Sequence, residues 1–147
     1  MYTIEKKLRD AHIAHFLGKD YPKACKNIHG HSYHFSVKIT GNELDKYDML
    51  IDFGAIKEHC DNWIQENWDH KTIFATHQLG CAEFWRKNNW SYFIFPIQNS
   101  NVTAERMSEF LAKKFFEELS LVYPNICSLV VSVWETDDSV ASYEVNK

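Results

Sequence analysis

No stretch of this chain approaches the roughly 20 consecutive apolar residues that cross a bilayer. Its charged start, Met1 to Asp10, also lacks the apolar centre of a secretion signal. Membrane insertion is therefore not expected, and the cytoplasm is the expected compartment. Basic residues are in the minority, 16 Lys and Arg against 20 Asp and Glu, for a formal net charge of −4. Without clustered cations there is little to grip a phosphate backbone, which argues against a nucleic-acid partner and for a small metabolite. The four cysteines, Cys25, Cys60, Cys81 and Cys127, show no close pairing, so reduced thiols are expected. Internal repeats and low-complexity segments are absent too. What remains is a chain of 147 residues, suited to a single domain over residues 1–147 that buries roughly two-thirds of its unfolded surface without disulfides. Five Trp, seven Tyr and ten Phe supply a dense core together with either a stacking surface or a subunit interface.

Hydrophobic periodicity sets out the elements. Tyr2 to Phe16 reads as a first strand with imperfect alternation, and Gly18 to Asn27 as a loop. A second strand, about His31 to Thr40, has Tyr33, Phe35, Val37 and Ile39 on one face and Ser32, His34, Ser36, Lys38 and Thr40 on the other. Asp52 is placed to cap a helix in which Phe53, Ile56, Cys60, Trp63, Ile64 and Trp68 form an apolar stripe. Between Thr72 and Ser100 the pattern weakens to a short helix near Cys81–Lys87 and a strand across Trp90–Phe95. Thr103 opens a second main helix, with Met107, Phe110, Leu111, Phe115, Leu119 and Val122 at helical spacing. A strand over Ile126–Thr136 and a hairpin return over Val140–Val145 complete the chain. The expected fold is α+β: an antiparallel four-stranded sheet covered on one face by two main helices, in the order ββααββ.

Histidine carries most of the chemistry. His29 and His31, two apart on a strand, point to the same face, and that face is the apolar one. Two neutral imidazoles there need a partner, and Zn²⁺ suits them. His15 supplies a third ligand if the first strand runs antiparallel to the second; His12 competes for that place from the opposite face. Cys25 is either a fourth ligand, closing the shell, or a base beside the metal. Asp69-His70 pairs a carboxylate with an imidazole and suits a proton relay, although such a pair also serves at helix ends. Glu135 ends an apolar row of Cys127, Leu129, Val131 and Val133, where an unpaired carboxylate is costly. A 2-amino-4-oxo-pyrimidine ring offers the adjacent N–H donors that would satisfy it. Glu105 has a simpler reading, an acidic residue in a helix's first turn. His34, His59 and His77 read as ordinary polar residues, and Cys60 and Cys127 as core.

Cys25-Lys-Asn-Ile-His29-Gly30-His31-Ser-Tyr, Leu50-Ile-Asp52-Phe53, Asp69-His70, Thr103-Ala104-Glu105 and Trp134-Glu135-Thr136, in that order, resemble the 6-pyruvoyltetrahydropterin and 6-carboxytetrahydropterin synthase family over most of the chain. The resemblance implies the T-fold, or tunnelling fold, in a homohexamer built as a dimer of trimers with active sites between subunits. It implies that His15, His29 and His31 bind zinc, that Cys25 is the general base, that His70 with Asp69 relays protons and that Glu135 anchors a pterin. Thr103, Ala104 and Glu105 are implied to lie at the substrate. The three-residue gap between Cys25 and His29 and the Ile51-Asp52-Phe53 segment are similar to the bacterial carboxytetrahydropterin synthases of queuosine biosynthesis. On that footing the substrate is 7,8-dihydroneopterin triphosphate and the products are 6-carboxytetrahydropterin, acetaldehyde and triphosphate. Simple triphosphate elimination to the pyruvoyl product, or a zinc-stabilised pterin-binding module without turnover, are the alternatives. The chain departs from the family's Phe-x-Ala-Ala-His pattern with Ala11-His12-Ile13-Ala14-His15. It is also rich in aromatics over Thr72–Ser100, a segment that would line an interface or a substrate entrance. Lys19, Lys23, Lys26 and Lys71 are candidates for the triphosphate.

Overall fold

The computed structural model describes residues 1–147. Its centre is the long strand β3 (His29–Gly41), whose apolar row Tyr33, Phe35, Val37 and Ile39 is fully buried. Strands β1 (Tyr2–Lys7) and β2 (Ala11–His15) both pair antiparallel with β3, β1 against its far half and β2 against its near half. The expected continuous first strand is thus interrupted at Leu8–Asp10. Leu8 still pairs through its N–H to Phe35 O, but Arg9 is drawn away: its backbone N–H and Nε both donate to Asp61, at 2.8 and 2.7 Å. On the other edge of β3 runs β6 (Ile126–Thr136), then β7 (Ser139–Asn146), both antiparallel.

The antiparallel four-stranded sheet is therefore only part of the architecture. Two further strands, β4 (Lys71–Phe74) and β5 (Tyr92–Ile94), extend the sheet beyond β2, and both pairings are parallel. The order is β5-β4-β2-β3-β6-β7, with β1 also on β3, seven strands in a mixed sheet. β5 falls within the strand read across Trp90–Phe95 and the short helix near Cys81–Lys87 is α3 (Leu79–Lys87), whereas the four residues of β4 carry too little alternation to be read locally; parallel pairing of β4 with β5 needs a crossover, which α3 supplies.

A helical run follows β3 over α1 (Phe53–Ile56), a π turn (Lys57–Asp61) and α2 (Asn62–Asn67). Asp52 caps it by accepting the Gly54 N–H at 2.7 Å. With α4 (Ala104–Val122), capped by Thr103, it covers one face of the sheet. Ile56, Cys60, Ile64, Trp68, Met107, Leu111, Phe115 and Leu119 pack there on the inner rows of β3 and β6. α3 lies on the opposite face, where Trp85 Nε1 donates to Thr72 Oγ1 and its ring meets Phe74 edge-on at 5.1 Å. Two helices on one face are thus joined by a third on the other. Gly41 ends β3 where the chain crosses Asn125; a Cβ there would lie 2.4 Å from the Asn125 carbonyl oxygen, so the close backbone approach requires glycine. No helix is long and apolar enough to cross a membrane.

Candidate metal centre

The β2–β3 register sets His15 directly opposite His29 and Ile13 opposite His31. Alternation then sends His15, His29 and His31 to the core face together. Their ring centroids lie 4.6, 4.9 and 5.4 Å apart. One ligand atom from each, with a carboxylate oxygen of Glu135, falls within 4.8 Å of all the others. His12, paired with Ser32, faces the other way and takes no part.

Hydrogen bonds define the ring tautomers. His15 Nδ1 donates to the Val102 carbonyl at 2.6 Å, and His29 Nδ1 donates to the Asn27 carbonyl at 2.7 Å. A carbonyl only accepts, so both rings carry their proton on Nδ1 and present a bare lone pair on Nε2. Tyr33 OH donates to His15 Nε2 at 3.3 Å. The Nε2 atoms of His29 and His31 are buried and have no hydrogen-bond partner. His31 Nε2 does lie 3.0 Å from Glu135 Oε1, close enough for an ion pair but without hydrogen-bond alignment. Burial lowers the pKa of His15 and of His31; the neighbouring imidazoles push the same way, and Glu135 opposes. Burial foremost raises that of Tyr33, with the nearby Glu135 and Cys25 adding to it. Three converging imidazoles, two of them with buried nitrogens that have no hydrogen-bond partner, form a donor set that fits a divalent transition-metal ion, Zn²⁺ among them.

The other candidates fall into three places. Cys25 sits in a short turn (Ala24–Lys26), half-buried, its carbonyl accepting the Leu17 N–H at 2.9 Å. Thr103, Ala104 and Glu105 start α4 directly after Val102, the residue that orients His15. Thr103 is occupied as the cap, Ala104 is buried and Glu105 is exposed. Asp69 and His70 lie beside His12, on the face of β2 opposite the His15 side chain. Asp69 accepts the His12 N–H through Oδ1 and the His70 Nδ1–H through Oδ2, both at 2.8 Å. Burial works to raise the Asp69 carboxyl, but these two donors prevail and hold it below the usual range. His70 has a left-handed backbone, φ 56°, and 77% side-chain exposure. It borders an open cleft of about 690 Å³ with His12, His31, Ser32, Trp85 and Trp90. Of the triphosphate candidates, Lys71 borders the same cleft and donates to the Glu66 carbonyl.

Sequence reasoning left Tyr33 out of the site. Its place in the same alternating row as His29 and His31 is the signal that would have included it.

The family model described as 6-pyruvoyl tetrahydropterin synthase matches residues 3–146. A Rickettsia conorii protein named 6-carboxy-5,6,7,8-tetrahydropterin synthase is 32% identical over 117 residues, 80% of this chain and 83% of that one. An Aquifex aeolicus protein of the same name is 31% identical over 125 residues, covering 82% and 75%. Among solved structures, the 6-pyruvoyl tetrahydropterin synthase of Plasmodium vivax superposes with a TM-score of 0.75 at 16% identity over the whole of both chains. That of Caenorhabditis elegans gives 0.65 at 18%, covering 99% and 96%. At such identity the structural likeness speaks for the fold.

Proposed function

The chain belongs to the 6-pyruvoyl tetrahydropterin synthase family, and from that premise we propose that it is a zinc-dependent 6-carboxy-5,6,7,8-tetrahydropterin synthase, a carbon-carbon lyase. It converts 7,8-dihydroneopterin triphosphate to 6-carboxytetrahydropterin, acetaldehyde and triphosphate, in the formation of queuosine and related 7-deazaguanines. The reaction type is supported by curated relatives of that name that match most of the chain. Metal dependence is supported by one observation, the convergence of His15, His29 and His31, with the buried Nε2 atoms of His29 and His31 left without a hydrogen-bond partner.

His15, His29 and His31 would hold the metal. When bound it acts as a Lewis acid on side-chain oxygens of the substrate, acidifying the neighbouring carbon-bound protons. Cys25, on the loop before β3, removes such a proton as thiolate. Glu135 accepts the paired N–H donors of the pterin ring, two parallel charge-assisted bonds that orient the substrate. Thr103, Ala104 and Glu105 border the site from the start of α4. Asp69 keeps the His70 imidazole oriented for proton relay. Because His70 lies across the sheet from His15, it serves Cys25 of an adjacent copy in a homohexamer, a dimer of trimers.

Product identity tests the reading. Incubation with 7,8-dihydroneopterin triphosphate should release acetaldehyde in step with a pterin of the carboxy product's mass. A pyruvoyl pterin without acetaldehyde would establish triphosphate elimination instead, and no turnover would leave a binding module. Cys25→Ala should retain metal while losing at least about 100-fold in rate, the usual weight of a general base; undiminished turnover would remove Cys25 from that role.

A further inference from the structure

Glu135 stands in a place that pterin binding alone does not explain. Within β6–β7 the register passes from Trp134↔Val140 to Thr136↔Ser139, leaving Glu135 as an unpaired bulge residue. Pairing of β3 with β6 ends one residue earlier, at His34↔Trp134. A bulge re-aims the side chain it carries, and this one is turned toward the three histidines. Its Oε1 lies 3.0 Å from His31 Nε2. Ligands held at about 2.0–2.1 Å around a tetrahedral ion are themselves about 3.3 Å apart, so oxygen and nitrogen stand at coordination spacing. Their misalignment as a hydrogen bond fits two lone pairs directed at a third body. The carboxylate ends an apolar row and has no Lys or Arg partner; His31 is its one ionic neighbour. The Cys25 thiol is outside the four-atom group.

Resting on the metal reading above, we infer that Glu135 is the fourth ligand of the metal in the substrate-free protein, and that a pterin ring draws it off by claiming the same carboxylate. The empty enzyme then holds a closed, four-coordinate site, and the ring's arrival opens one position for the substrate side chain. The carboxylate is in this way a latch that ties recognition of the head group to exposure of the metal. Cys25 remains free to act as base.

Cobalt provides a spectroscopic readout that is independent of turnover. The Co²⁺-loaded parent should show the intense visible bands of a four-coordinate ion; Glu135→Gln should weaken and shift them, and its Zn²⁺ affinity against a chromophoric chelator should fall by about 10- to 100-fold. The near-isosteric glutamine and a thermal melt of the metal-free proteins separate ligand loss from misfolding; Glu135→Asp, which keeps the charge, should recover part of the affinity. For the exchange, 6-methylpterin, which lacks side-chain oxygens, should bind the Zn²⁺-loaded parent several-fold more weakly than the metal-free parent. Unchanged spectrum and affinity in Glu135→Gln, or equal or tighter 6-methylpterin binding with metal, would overturn the inference while leaving the metal site standing. A parent that takes up neither ion overturns both.

Discussion

An imidazole whose Nδ1 already donates to a backbone carbonyl has one lone pair left, and it points wherever the ring is held. His15 and His29 are held in this way by Val102 and Asn27, whereas the exposed His12 meets Ser32 Oγ at 2.9 Å. His15→Ala should therefore lower Zn²⁺ affinity at least about tenfold, while His12→Ala leaves it within about twofold, the effect of an ordinary surface change; chelator competition measures both. His34 works differently. It bridges Asp10 and Asp137 at 2.7 and 3.0 Å, joining the β1–β2 break to the β6–β7 turn. Hydrogen bonds to Asp10 and then Asp137 raise its pKa above the usual 6.5, so the folded state binds the proton more tightly than the unfolded chain. This contribution is complete below the unfolded value and is lost as pH rises through the folded one. Denaturation of the parent and His34→Gln between about pH 5.5 and 8.5 should show a stability gap that closes toward high pH; a constant gap would assign the tie to packing.

Among the elements, the break in the first strand has an identifiable cause. Asp61 closes the π turn and is almost fully buried, yet its two oxygens accept the Arg9 N–H and Nε–H. The guanidinium is half exposed, so solvent screens the ion pair and the hydrogen bonds carry most of its value. Asp61→Ala should cost about 2–3 kcal/mol, the range for bonds to a buried charged group, as read by urea denaturation. Helix boundaries were legible because caps are local: Asp52 and Thr103 begin their helices, and Tyr123-Pro124 ends α4. β6 and its outward and inward rows were legible for the same reason, since eleven residues of alternation are unambiguous. β5 falls within the strand read across Trp90–Phe95, but the π turn, β4 and the parallel pairings were not legible. They depend on partners tens of residues distant, as in Thr72↔Tyr92.

For the whole molecule, stability rests on the layer between the sheet and the helices α1, α2 and α4. Leu111, fully buried there, and Leu121, 82% exposed on the same helix, give a direct contrast. Leu111→Ala should lower unfolding free energy by about 2–5 kcal/mol, whereas Leu121→Ala should shift it by no more than about 0.5 kcal/mol; parallel chemical denaturation reads both. The opposite face carries α3 and the cleft bordered by His70 and Trp90, so groups read together along the chain stand on two sides of one sheet. From the sequence alone came everything that short range decides: the α+β class, the capped helices, the shared face of His29 and His31, the apolar row ending in Glu135 and the family motifs. Only the tertiary structure brought His15 rather than His12 to that face, added β4 and the parallel pairings, put Tyr33 against His15 and turned Glu135 toward the histidines. The physical reason is that face and spacing follow from backbone periodicity, whereas register, bulges and the side of the sheet on which Asp69 and His70 stand depend on contacts between segments that the chain order leaves free.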